Sequence, residues 1–308
     1  MANRALPLGS ILQYVVLGLL GYVLAGAPLL SIILGGSGGE KKKSRVGYTP
    51  PEIHPEKLST LVIPEANLSC AVHTYKGVHV LSREPLVLYI EGFLEAEEVR
   101  HVVEISEPHF TPSTVWTSGQ ERLDPHVRLS HKAPVPRSDT VRCIEDRARA
   151  FQGWRPYVFI EKLWAQRYGP GGHYSYHYDW GNAVRGAGRI SSFMVWLGDE
   201  CEGGGTRFPR LERPVGQLWC KFIECGEEKR VGGEEGDDID EEGESKGVTF
   251  KPIKGNAVYW ENMKPDGTGY EESWHAGLPV VSGTKIGLNI WSWLQQGYDP
   301  HTTQNAVE

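Results

Sequence analysis

The 308-residue sequence predicts a mainly β domain with flanking helices, carried behind an apolar N-terminal segment. Three observations point there. The composition, with 37 Gly, 20 Pro, 10 Trp and 13 Tyr, favours strands and turns over long helices. Short apolar or alternating runs separated by turn residues crowd the chain from Val158 onward, the density of a β-sandwich or barrel. Before that point only two stretches have helical spacing, so those helices are expected to pack outside the strands.

In chain order, the first element is apolar. No residue from Ala5 to Gly39 is charged, and Ile11 to Leu34 would form a helix of roughly 36 Å against a hydrocarbon core of roughly 30 Å. A retained single-pass anchor is the expectation, over residues 1–45 with their basic flank. A signal peptide cut after Ala25-Gly26-Ala27 is the competing reading. Residues 46–84 read as a tether, with Pro50-Pro51 and few apolar runs. The folded domain is expected over 85–296, followed by a tail at 297–308. Leu86 to Ile90 reads as a strand. Glu95 to Ile105 and Asp139 to Phe151 read as helices, the second capped by Ser138 or Asp139. Strands follow in VFIEKLWAQRY, HYSYHYDW, ISSFMVWL, AVYWEN and KIGLNIWSWL, and Ser282-Gly283 signals a hairpin turn before the last.

The net charge of −7 is unevenly placed. Gly226 to Glu244 holds ten acidic and two basic residues, inside a long expected insertion at 211–247. The rest of the chain is nearly neutral, so no basic face suggests a nucleic-acid partner. The acidic run lacks the alternating ligand spacing of a calcium loop and reads as a solvated insertion. Five scattered cysteines do not make a disulfide scaffold. Cys220 and Cys225 either pair in an oxidising compartment or stay free.

The chemistry concentrates in RYGPGGHYSYHYDW, residues 167–180. Residues i and i+2 of a strand share a face, so His177 and Asp179 would project together. That pair alone is weak, since 11 His and 39 acidic residues give about 1.4 such pairs by chance and the chain has two. A second histidine would complete the two-His, one-carboxylate facial triad of non-haem Fe(II) oxygenases, and ESWHAGLPVV supplies His275. On the strand that follows, Lys285, Gly287, Asn289, Trp291 and Trp293 share one face. A buried lysine there calls for an anion, and a dicarboxylate would serve.

Five stations in order, PLVLYIEGFLEAEE, RYGPGGHYSYHYD, GGGTRFP, KPIKGNAVYW and SWHAGLPVVSGTKIGLNIW, resemble the prolyl 4-hydroxylase group of Fe(II)/2-oxoglutarate dioxygenases over residues 85 to about 296. The resemblance implies a double-stranded β-helix, or jelly roll. It implies His177, Asp179 and His275 as iron ligands, and Lys285 as the partner of the distal 2-oxoglutarate carboxylate. Tyr168 and Thr206 become further cosubstrate contacts. Tyr174, Arg189 and Trp291 are placed along the peptidyl-proline site. Trp274 departs from the polar or basic residue the family often has beside its last ligand. The implied cofactors are Fe(II), 2-oxoglutarate and O₂, with a need for ascorbate left open. The implied reaction is procollagen-proline 4-dioxygenase-like: 2-oxoglutarate is decarboxylated to succinate and a substrate C–H bond is hydroxylated.

The expected partners are a proline-containing protein or peptide and, through the N-terminal helix, a membrane. The rival functions are hydroxylation of a small molecule or natural-product peptide, a catalytically silent membrane-tethered binding module, and a zinc-holding structural protein. Lys41, Lys42, Lys43 and Arg45 after the span favour a cytosolic domain. The family's anchored members face the endoplasmic reticulum lumen, and that resemblance outweighs the charge count. Asn67-Leu68-Ser69, the single Asn-x-Ser/Thr sequon, would report which side is correct.

Overall fold

The computed structural model of the protein describes residues 55–117, 120–225 and 247–300. A short helix α1 (Pro55–Thr60) precedes strands β1 (Gly77–Arg83) and β2 (Leu86–Glu91) and helix α2 (Ala96–Ser106). Short strands follow: β3 (Thr111–Pro112), β4 (Val115–Thr117), β5 (Gln120–Arg122), β6 (Arg128–Leu129) and β7 (His131–Pro134). Helix α3 (Asp139–Phe151) leads to β8 (Val158–Ile160), β9 (Trp164–Tyr168) and β10 (His173–His177). The remainder is β11 (Ala187–Gly203), β12 (Thr206–Phe208), β13 (Val248–Phe250), β14 (Ala257–Glu261), β15 (His275–Gly277) and β16 (Val280–Gln295).

The strands form two main sheets. The larger runs β1-β2-β14-β11-β16-β9-β7-β3, with β8 also paired to β16, and the smaller runs β13-β12-β15-β10-β6. Alternation along the strands sets the layers. Phe193, Val195, Ala257, Tyr259, Leu288 and Ile290 project from one face of the larger sheet, onto Val99 and Val102 of α2 and Val141, Ile144 and Ala148 of α3. Their neighbours Met194, Trp196, Val258 and Trp260 project the other way, onto Phe208, Val248 and Phe250 of the smaller sheet. Covering both faces makes the central strands continuously apolar. The result is mainly β with helices on one outer face, consistent with a jelly roll.

The helices begin where the sequence predicts. Ser138 caps α3, its Oγ accepting from the Val141 N–H. Glu95 and Glu98 form a reciprocal capping box at the start of α2.

Three expectations need correction. The described part of the expected tether is folded onto the domain. Leu61 and Val62 are buried, β1 pairs with β2, Tyr75 stacks on Phe93, and a Cys70–Cys143 disulfide fastens this stretch to α3. Its edge strand alternates exposed and half-buried positions, so it carries no apolar run to announce it. Second, VFIEKLWAQRY is two strands, since β8 and β9 pair with different parts of β16.

Third, Ser282-Gly283 does not turn the chain. β16 runs straight through it opposite Glu202 and Cys201, and the change of sheet comes earlier, at Leu278-Pro279. Gly283 has φ of 78°, and a Cβ there would lie 2.1 Å from the Glu200 carbonyl oxygen. Glycine at this point serves close strand approach rather than a hairpin.

The early part of the 211–247 insertion packs: Leu211, Phe222 and Ile223 join the core between the sheets, and Cys220 and Cys225 form a disulfide. The acidic run beyond it and the apolar segment Ile11–Leu34 lie outside the described residues. Among the described residues no helix is long and apolar enough to cross a membrane.

Candidate active site

The two sheets enclose a cavity of about 400 Å³, counting its open mouth. His177 ends β10 and stands directly across from His275, the first residue of β15, with ring centroids 4.3 Å apart. Asp179 lies two residues beyond β10 in the following turn and brings its Oδ1 to 3.8 Å from His177 Nε2. One ligand atom from each of the three lies within 4.8 Å of the others, a grouping that could hold a metal ion.

The protonation of the histidines follows from their partners. His177 Nδ1 lies 2.9 Å from the Ser175 carbonyl and His275 Nδ1 lies 2.8 Å from the Ser273 carbonyl. A carbonyl only accepts, so each Nδ1 carries a proton and Nε2 is the ring nitrogen left as a possible ligand. Burial, reinforced by His275, pushes the His177 pKa down to about 3, which keeps that imidazole neutral. Burial raises the Asp179 pKa, but His275, His177, Arg189 and a hydrogen bond from Ser192 outweigh it and hold the carboxylate below its ordinary value. The group thus offers a neutral imidazole at His177, a carboxylate at Asp179 and the Nε2 of His275, donors that suit a divalent metal.

Asp179 is aimed by a relay that the sequence did not announce. Its Oδ2 accepts from Ser192 Oγ at 2.6 Å and from Trp291 Nε1 at 3.0 Å. Asn262 Nδ2 donates to Ser192 Oγ, and Trp260 Nε1 donates to Asn262 Oδ1, both at 2.8 Å. With Oδ2 taken twice, Oδ1 is left toward His177. Trp291, expected along the substrate site, is therefore also a support of the acidic ligand.

Lys285 sits on β16 opposite Tyr168 of β9 and is only 2% exposed. Its Nζ lies 5.3 Å from the Tyr168 ring centroid, and no carboxylate pairs with it among the described residues. Burial lowers its pKa to about 8, opposed weakly by Cys201. Thr206, on β12 across from Gly277, has a buried hydroxyl without a hydrogen-bond partner. A Cβ at Gly277 would come 4.0 Å from Lys285 Nζ, so the ammonium, the hydroxyl and the Tyr168 ring line one end of the cavity around a glycine. An unanswered ammonium and an unanswered hydroxyl facing a cavity fit a bound carboxylate.

Tyr174 and His177 are three residues apart, which strict alternation would put on opposite faces. The register of β10 shifts between them, and the two rings stack at 3.8 Å. Arg189 Nε and Nη2 donate to Glu161 at 2.7 and 3.2 Å, and its guanidinium lies 3.9 Å from the Trp291 ring centroid.

Gln166, which accepts from the Tyr168 hydroxyl at 2.7 Å, and Asn289 line the same cavity. Arg128 of β6 lies 4.6 Å from the Tyr174 ring centroid with its Nη2 buried and unpartnered. No pattern in the sequence singles it out. Trp274 turns away from the cavity to Tyr178, whose hydroxyl donates to Glu271, so Tyr178 belongs to the surface. His173 bonds the Gly171 carbonyl at the turn before β10 and takes no part in the site.

The family comparison agrees with this geometry. Residues 163–293 match the 2OG-Fe(II) oxygenase superfamily. The chain is 30% identical over 225 residues to probable prolyl 4-hydroxylase 10 of Arabidopsis thaliana, covering 70% of this chain and 71% of that protein. It is also 30% identical to prolyl 4-hydroxylase 5 of the same plant, covering 70% and 71%. Among solved structures, the 2OG complex of the viral collagen prolyl hydroxylase from Paramecium Bursaria Chlorella virus-1 aligns with 24% identity and a TM-score of 0.48, over 68% of this chain and 96% of that one. The chain belongs to the prolyl 4-hydroxylase-like family of 2OG-Fe(II) oxygenases.

Proposed function

We infer that the protein is a Fe(II)- and 2-oxoglutarate-dependent dioxygenase that hydroxylates a peptidyl proline. The observation that carries this is the joint presence, in one cavity, of the closely grouped ligand atoms of His177, Asp179 and His275 and the buried, unanswered Lys285. Prolyl 4-hydroxylase relatives at 30% identity support proline as the target.

Bound iron and 2-oxoglutarate together supply the oxidant for C–H hydroxylation, with decarboxylation to succinate. The chain's part is placement. His177, Asp179 and His275 would hold the metal by one face. Lys285, with Thr206 and Tyr168, would hold the far carboxylate of the cosubstrate. Ser192 and Trp291 keep Asp179 in one orientation, and Tyr174, Arg189 and Trp291 would set the peptide against the metal. The test is succinate release and hydroxyproline formation with a panel of proline-containing peptides, using Asp179→Ala as control. Wild-type turnover that survives in the control refutes the metal assignment.

We further propose that residues 11–34 span a membrane and that the catalytic domain faces an oxidising lumen. The Cys70–Cys143 and Cys220–Cys225 disulfides support the lumen beyond the apolar length, and Asn67, exposed in a turn three residues before Cys70, is placed to report it. In a eukaryotic cell a glycosidase-sensitive mass shift, lost in Asn67→Gln, is expected. Digestion of the domain by protease in sealed microsomes without detergent overturns the reading.

A further inference from the structure

Lys57 reaches the site from outside the strands that build it. Residues 60–62 run beside β8: Lys162 N–H donates to the Thr60 carbonyl at 2.7 Å, Val62 N–H donates to the Ile160 carbonyl at 2.8 Å, and Leu61 bridges Glu161. This lays α1 against Glu161. Lys57 Nζ is 2.8 Å from Glu161 Oε2 and 3.8 Å from the Trp293 ring centroid. Glu161 takes Arg189 with the same carboxylate, at 2.7 Å on Oε1 and 3.2 Å on Oε2. Two cations, each lying over a tryptophan of the same β16 face, therefore share one carboxylate that is only 7% exposed. From Arg189 the contacts continue through the Trp291 ring, and its indole N–H reaches Asp179.

We propose that Lys57 is a positioning residue for the peptide: by holding Oε2 of Glu161 it sets where Arg189 lies over Trp291. The inference rests on the peptidyl-proline reading of the site. Its physical basis is competition for one oxygen. Arg189 Nη2 meets Oε2 at the longer of its two distances, and Lys57 meets the same atom more closely. With Lys57 gone, Oε2 is left to the guanidinium alone, and the longer arm of the existing two-pronged pairing can close. Arg189 then moves toward Glu161 and off its place over Trp291. The segment that leads into the domain thereby becomes part of substrate placement, although it lies more than a hundred residues before the first metal ligand.

The experiment compares Lys57→Met, Lys57→Arg and Glu161→Gln in full-length protein. Binding of a labelled proline-rich peptide is measured with Mn(II) and 2-oxoglutarate, alongside steady-state hydroxylation with Fe(II). Lys57→Met should raise both the peptide Kd and its KM roughly tenfold, with kcat within about twofold of wild type. Lys57→Arg should recover most of the loss, because arginine also reaches the carboxylate. In the Glu161→Gln background Lys57→Met should add nothing, since the group through which it acts is gone.

A full additional loss in that background, or Lys57→Arg no better than Lys57→Met, overturns the inference. So does a Lys57→Met protein with wild-type peptide affinity, and that result leaves the functional reading intact. A wild-type protein that consumes 2-oxoglutarate but neither binds nor hydroxylates any proline peptide overturns the functional reading itself, and this inference with it.

Discussion

Arg189, half-buried, and Lys285, fully buried, are cations on neighbouring strands, β11 and β16, and the protein treats them in opposite ways. Arg189 is given Glu161, and although burial works against its charge, Glu161 and Asp179 outweigh that and raise its pKa. Lys285 is given no carboxylate among the described residues, and burial lowers its pKa to about 8. A buried pair that is closed within the protein shapes a wall. A buried cation left open is a demand for a ligand, because its desolvation goes uncompensated until an anion arrives.

Lys285→Met tests the open cation and carries the largest expected effect. The requirement for 2-oxoglutarate should rise by roughly 150- to 4,000-fold, from the loss of about 3–5 kcal/mol of buried charge pairing. Iron binding should change little. Without cosubstrate the sign reverses, and the variant should melt higher than wild type, since an uncompensated charge has been replaced by an apolar side chain. Titrations of 2-oxoglutarate and thermal melts check both halves. A variant that loses cosubstrate affinity and also melts lower would mean that Lys285 is held by the fold.

Arg189→Ala probes the closed pair. It leaves Glu161 with Lys57 alone, so the free protein should lose about 1–3 kcal/mol of stability, the opposite sign to Lys285→Met. Peptide hydroxylation should fall roughly 10–100-fold, well beyond the fall in peptide-independent 2-oxoglutarate consumption. Trp291→Ala should depress both assays, because its indole N–H also orients Asp179. Equal losses in the two assays for Arg189→Ala would remove it from the peptide site.

These two cations also show what could be read before the structure. Lys285 was legible because a period of two carries its meaning: lysine on a face shared with Asn289 and Trp291 is anomalous on inspection. The His177-Asp179 pair shares that period but is weak alone, His275 became a ligand through the ordered resemblance, and the α3 cap was legible from the residue type before the helix. Closure of the Arg189 pair was not. Glu161 sits in a run that reads as one strand, and Lys57 lies in a stretch that reads as tether; their meeting depends on backbone pairing at residues 60–62. The Cys70–Cys143 bond joins two positions with no telling spacing. Ser282-Gly283 misled because a glycine needed for close strand approach looks the same as one needed for a turn. The Tyr174–His177 stack required a bulge, which alternation cannot foresee.

The smallest effect is also the one that most directly separates the two cations, because only Lys285 titrates near neutrality. Its pKa in the folded protein is about 8 against an ordinary lysine value of 10.5. Between those values the unfolded chain holds more protons on this group than the folded one, so stability without cosubstrate rises with pH across that window. Below about pH 8 both states are protonated and the penalty is fully present, roughly 3 kcal/mol for a shift of this size. Other groups titrate in the same range, so the informative quantity is wild type minus Lys285→Met, which should narrow from pH 8 upward. Cosubstrate binding should run the other way. A dicarboxylate needs the ammonium, so above about pH 8 each further unit should weaken 2-oxoglutarate about tenfold, or about 1.4 kcal/mol, until the raised pKa of the complex is reached. Arg189 stays charged throughout, so peptide affinity measured at saturating 2-oxoglutarate should not follow this curve. Isothermal titration from pH 7 to 9.5 would show it: a flat profile in wild type, or an equal slope in Lys285→Met, would assign the pH response to another group.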